Sequence, residues 1–177
     1  MKETLFLRGA DLISRFNELK MQNLILGLDP GRDKIGFAFV KSNGELFFSG
    51  MFFLEQREEF FSSLLKNKGE NLSQWIIEKN SDFSTEYLKC IISDVEFIAI
   101  GNGTHSKEFY DYVRARIDMI KILIVDEKNT TLEARKLYWK IHKPKFFERF
   151  VPESLRVPKR VLDDLAAWAI ALRALKK

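Results

Sequence analysis

A chain of 177 residues with 46% hydrophobic and 31% charged residues can bury a real core and is not a disordered polymer. The formal net charge of +4 allows a phosphate-rich partner without requiring one. The single cysteine, Cys90, excludes an internal disulfide and a cysteine-based zinc site, and the composition fits a reducing cytoplasm. Cys90 lies in an apolar run and reads as a small core residue.

In residues 1–22, Lys2, Glu3, Arg8, Asp11 and Arg15 interrupt every apolar stretch before a signal core could form. Leu5, Leu12, Ile13, Phe16 and Leu19 recur at helical spacing, which predicts an amphipathic helical extension packed on the domain or on a partner. No apolar run approaches the length of a membrane span.

Asn23 to Leu28 reads as a buried strand ending at Asp29 and the turn signal Pro30-Gly31. Ile35 to Lys41 and Leu46 to Leu54 form the next two strands, joined by the hairpin signal Asn43-Gly44. From Gln56 to about Asn80 the pattern is helical and charged, divided by Gly69. Thr85 to Ser93 is a further expected helix, Phe97 to Ile100 a short strand closed by Gly101-Asn102-Gly103, and Ser106 to Ile117 a helix. Ile120 to Val125 is a fifth strand. Thr130 to Ile141 is a helix, with Thr130 and Glu133 spaced as a capping box. An irregular stretch, His142 to Pro158, leads to an alanine-rich terminal helix. An antiparallel meander followed by alternating helices and parallel strands predicts a five-stranded mixed sheet with helices on both faces.

Sites in such sheets form at strand ends. Asp29 ends the first strand, Asp126 and Glu127 the fifth, and Asp163 and Asp164 open the last helix. Singly, each has an ordinary explanation as a turn or helix-capping residue. Together they describe carboxylates whose mutual repulsion a hard divalent cation would relieve, in a form suited to phosphodiester hydrolysis. Helical spacing puts Asp163 on one face with Ala166, Ala167 and Ile170, and turns Asp164 about 100° away. Between residues 143 and 160, Lys143, Lys145, Arg149, Arg156, Lys159 and Arg160 are interleaved with Phe146, Phe147 and Phe150. That pattern suits a nucleic-acid strand, and equally a loop whose rings pack on the core. His105 and His142 lack metal-ligand spacing.

With those residues in view, the chain resembles the RuvC/YqgF group of the ribonuclease H-like superfamily. Leu28-Asp-Pro-Gly-Arg-Asp-Lys-Ile-Gly36 is similar to the group's opening motif, and Ile100-Gly-Asn-Gly-Thr-His-Ser106 to its fourth-strand segment. Val125-Asp-Glu-Lys-Asn-Thr-Thr-Leu-Glu-Ala-Arg135 and Val161-Leu-Asp-Asp-Leu-Ala-Ala167 resemble its last two motifs. The four come in family order. The resemblance implies a ribonuclease H-like fold over 23–177 and a metal-dependent nuclease, of the Holliday-junction resolvase or ribosomal RNA precursor-processing kind. It implies Asp29, Glu127 and Asp163 as ligands of Mg2+ or Mn2+, with Asp164 the rival for third place among the catalytic acids. Lys143, Lys145, Arg156, Lys159 and Arg160 are the expected nucleic-acid contacts, and a resolvase would act as a homodimer. Gly101-Asn102 stands where RuvC resolvases carry a glutamate, which favours YqgF. The longer Glu55–Asn80 stretch and the loop around Arg156-Val-Pro158 suggest a side branch.

Two other readings compete. A sugar-kinase or actin-like ATPase needs two such lobes, and one domain of this length is expected to supply only one. A nucleic-acid or ribosome-binding module without catalysis would favour Lys or Arg where the acids stand.

Overall fold

A computed structural model describes residues 23–66, 69–144, 146–152 and 155–177. The helix expected in 1–22 and the contact expected of Lys145 lie outside the described residues, as does the side chain of Cys90.

Six strands form one mixed sheet: β1 (Leu24–Pro30), β2 (Lys34–Lys41), β3 (Leu46–Phe53), β4 (Ile76–Lys79), β5 (Val95–Gly101) and β6 (Lys121–Val125). Their order is β4-β3-β2-β1-β5-β6. The pairs β1–β2, β2–β3 and β3–β4 are antiparallel, whereas β1–β5 and β5–β6 are parallel. β1 is central and buried on both faces, as its unbroken apolar run demands.

The two faces differ in side-chain size. Leu24, Leu26 and Leu28 of β1 and Phe37 and Phe39 of β2 join Phe48, Phe52, Phe60 and Phe61 in a large aromatic core. Phe52 and Phe60 stack with ring centroids 4.1 Å apart, and Phe39 and Phe48 at 4.6 Å. Helices α1 (Arg57–Leu65) and α2 (Ser106–Arg114) cover this face through Phe60, Phe61, Phe109 and Val113. The opposite face presents Ile25, Ala38, Val40 and Ala99, and receives α3 (Thr130–Ile141) and α4 (Asp163–Ala174).

Small residues on that second face set the depth of α4. A β-carbon on Gly27 would lie 2.1 Å from the Ala167 carbonyl oxygen, and one on Gly36 would lie 2.0 Å from that of Asp163. The helix backbone therefore rests on bare strand backbone. Midway along the helix the Trp168 indole N–H donates to the Gly44 carbonyl at 3.1 Å, tying α4 to the β2–β3 hairpin.

The sheet has six strands where the sequence predicts five. Ile76–Lys79 falls inside the segment read as helical, yet its two adjacent β-branched isoleucines alternate in burial, and Ile76, Glu78 and Lys79 pair with Gly50, Ser49 and Phe48 of β3. The remainder of that segment shortens to α1 and a 3-10 turn over Gly69–Trp75. Thr85–Asp94 is a 3-10 helix, opened by Ser84 accepting from the Glu86 N–H. The capping box expected at α3 does not form. Asn129, with φ of 68°, precedes the helix, the Thr130 hydroxyl donates to the Glu127 carbonyl, and Glu133 pairs with Arg173. Among the described residues no helix is long and apolar enough to cross a membrane.

Gly36→Ala forces the start of α4 off the sheet, and overpacking of that kind costs about 1–3 kcal/mol. Urea unfolding is expected to show that loss, and an unchanged midpoint would contradict the close seating of α4.

Candidate functional site

Strand direction brings the C-terminal ends of β1, β5 and β6 to one end of the sheet, with the start of β2 and the end of β3. Asp29 is the penultimate residue of β1 and pairs across the ladder with Gly36. Since the Asp163 carbonyl rests on Gly36, the first residue of α4 stands one strand away from Asp29. Glu127 enters from the other side, two residues beyond the end of β6.

Glu127 is held by its backbone. Its N–H donates to Asn102 Oδ1 at 3.0 Å, and its carbonyl accepts from the Thr130 hydroxyl at 2.8 Å and from the Thr130 N–H at 2.9 Å. Its carboxylate lies across Gly101 and Gly103, where a β-carbon would approach its oxygens to 2.8 and 2.3 Å. Arg173, on α4, braces the same loop. It donates to Glu133 at 2.7 Å, to the Lys128 carbonyl at 2.7 Å and to the Asp126 carbonyl.

The electrostatics set Asp29 apart. Burial, then the charges of Glu127 and Asp163, push its pKa up to about 7. The Asp163 carboxyl is also raised, chiefly by burial, against the opposing field of Lys34. Among the described residues no hydrogen-bond donor or cation contacts the carboxylate of Asp29, Glu127 or Asp163. Nor, among those residues, are three His, Cys, Asp or Glu side chains drawn close enough to grip an ion as they stand.

Asp164 is built differently. It is 0% exposed, accepts from the Ser49 hydroxyl at 2.9 Å, and receives both Arg160 guanidinium nitrogens at 2.6 and 3.1 Å. Arg160 also donates to Glu78 Oε1 at 2.6 Å, an oxygen that meets His142 Nε2 at 2.7 Å. Burial works against the Glu78 charge, but the hydrogen bonds from Arg160 and His142 outweigh it and hold the carboxyl below its ordinary value. Asp164 thus faces β3 and β4, and its charge is matched inside the protein.

Of the four acids expected at the site, the structure groups Asp29, Glu127 and Asp163 and turns Asp164 away. Among the expected nucleic-acid contacts, Lys143 and Lys159 are exposed. Arg156 donates to the Val151 and Arg149 carbonyls, and Arg160 is committed to Asp164 and Glu78. The Phe146 and Phe150 rings stand 5.8 Å apart and are 68% and 78% exposed. Asn102, Thr130 and Arg173 position Glu127; the sequence reading gives Asn102 to a strand-closing turn and Thr130 to a capping box, and passes over Arg173. His142, which the sequence reading sets aside for want of metal-ligand spacing, joins the Glu78 network. Only Asn102, between two glycines at a strand end, carries a local signal.

No family model matches the chain. No curated protein matches it either. One solved structure, described as a "putative sugar kinase" from Cytophaga hutchinsonii, is similar at 16% identity over 63% of this chain, with a TM-score of 0.34. The chain spans 38% of that kinase, and so weak a likeness establishes neither fold nor function.

A carboxyl that titrates near 7 when folded and near 3.8 when unfolded keeps an extra proton in the native state between those values. Stability therefore falls as pH rises through that window. Asp29→Asn removes the ionisation. Its Tm is expected to equal the wild type near pH 4 and to exceed it by several degrees at pH 8, and parallel pH profiles would contradict the buried, repelled charge.

Proposed function

We propose that the chain is a metal-dependent nuclease with a ribonuclease H-like fold, acting on phosphodiester bonds of structured nucleic acid such as a four-way DNA junction. The observation that carries the reading is the grouping of Asp29, Glu127 and Asp163 at one sheet end, with no protein cation in contact among the described residues. An antiparallel meander followed by two parallel strands, with Asp29 near the end of the central one, also supports it.

The donor set fits Mg2+ or Mn2+. Carboxylate oxygens are the ligands hard cations prefer, and the repulsion that raises the Asp29 pKa is what a bound cation would offset. Bound there, such an ion would activate water and stabilise the leaving oxygen. The chain's own residues do the rest. Asn102, Thr130 and Arg173 fix the backbone that presents Glu127. Ser49 and Arg160 fix Asp164, and through it the helix start that presents Asp163. The exposed Phe146 and Phe150, with Lys143 and Lys159, offer rings and cations to a strand. A resolvase acting on a two-fold symmetric junction would work as a homodimer, in the cytoplasm.

The test is cleavage of labelled four-way DNA junctions, linear duplex and structured RNA with Mg2+ or Mn2+, comparing wild type with Asp29→Asn. Cleavage that disappears in the variant is expected. Absence of metal-dependent cleavage of all three by folded protein would overturn the reading in favour of a non-catalytic nucleic-acid or ribosome-binding module.

A further inference from the structure

Phe53 is the last residue of β3 and lies at the acid end of the sheet. Its ring is 50% exposed, unlike the buried Phe48 and Phe52 of the same strand. Its backbone is nevertheless pinned. The Phe53 N–H donates to Gln56 Oε1 at 3.0 Å, the same oxygen accepts from the Trp75 indole at 3.2 Å, and the Leu54 N–H donates to the Asp33 carbonyl at 2.9 Å. An exposed ring on fixed backbone loses little freedom when something stacks on it.

The surroundings have the chemistry of a nucleotide site. Phe53 pairs in register with Lys34, whose ammonium lies 5.6 Å from the ring centroid. Lys34 is on β2, the strand between β3 with Phe53 and β1 with Asp29, and its field reaches Asp163. Beside them opens a cleft of about 560 Å³ lined by Arg32, Asp33, Phe53, Glu55 and Arg57 among others. Its further acid, Glu58, is engaged by Arg116. β1 and β3 are two strand spacings apart, about 10 Å. At a stacked rise of ~3.4 Å per nucleotide, a strand crossing Asp29 reaches Phe53 within about three nucleotides.

We infer that Phe53 is a stacking platform for an unpaired base within about three nucleotides of the scissile phosphate, with Lys34 and Arg32 on the intervening phosphates. The inference rests on the nuclease reading and narrows its substrate to nucleic acid with an unpaired or splayed strand within about three nucleotides of the cut. A paired base has its faces covered by its neighbours, so the ring discriminates against uninterrupted duplex.

The test is fluorescence anisotropy with a labelled single-stranded oligonucleotide and its duplex, in Ca2+, for wild type, Phe53→Ala and Phe53→Trp. Phe53→Ala is expected to weaken single-strand binding by roughly 5- to 100-fold and to leave duplex binding unchanged. Phe53→Trp is expected to restore it, with the new tryptophan quenched on binding. Equal affinities in wild type and Phe53→Ala, an equal loss for duplex, a loss that tryptophan does not rescue, or no wild-type binding to the single strand would each overturn the platform. The parent reading fails separately. Asp29-dependent cleavage with a neutral Phe53→Ala removes the platform alone, whereas Phe53-dependent binding without cleavage under any metal removes the nuclease alone.

Discussion

Helix α4 touches β1 and β2 at two points with no side chain between them, at Gly27 and Gly36, and most of the candidate site follows from that contact. A helix resting on bare backbone is set by the strands rather than by flexible side chains. Its first residue, Asp163, is thereby fixed beside Gly36, which pairs with Asp29 in the ladder. Lower down the same helix, Arg173 reaches the loop that carries Glu127. One helix thus supplies one acid directly and steadies the mount of a second. The large aromatic core on the other face holds the sheet against which this registration is made.

Adjacent residues, Asp163 and Asp164, show how environment divides the labour of identical side chains. Asp164 is sealed in and neutralised by Arg160 and Ser49, in a network that continues to Glu78 and His142. Removing one partner of such a buried pair leaves an uncompensated charge, so the network locks the start of α4 in place. Asp163 has no such partner in contact among the described residues, and neither do Asp29 and Glu127. Such unmatched charge costs stability, and the raised Asp29 pKa reflects it.

The sequence made the strands legible where the pattern was local and strong. β1, β2, β3, β5 and β6 sit within two residues of their expected bounds, because each is a continuous or alternating apolar run flanked by turn residues. β4 was hidden because four residues at an edge carry too little pattern to compete with a charged, helix-like neighbourhood. Strand ends and the helix start offered Asp29, Asp126, Glu127, Asp163 and Asp164, helical phase favoured Asp163 over Asp164, and Glu127 rather than Asp126 came only from the family resemblance. Phase alone left Asp164 as the rival third acid, and nothing in the sequence signalled its pairing with Arg160, read as a nucleic-acid contact. Gly36 and Gly27 mattered for α4 more than helix propensity at Ala166 and Ala167 did, and sequence alone gives no sign of which face a glycine serves. The capping box failed because Thr130 and Glu133 are recruited by Glu127 and Arg173, partners that only the tertiary fold brings near.

The most direct test of the three-acid site is Mn2+ binding, followed by calorimetry at pH 8 on wild type, Asp29→Asn, Asp163→Asn and Asp164→Asn, each confirmed as folded. The account predicts one saturable site or more in the wild type, lost in Asp29→Asn and Asp163→Asn and kept in Asp164→Asn. Wild-type protein that binds no Mn2+, or binding that survives in Asp29→Asn and disappears in Asp164→Asn, would contradict it.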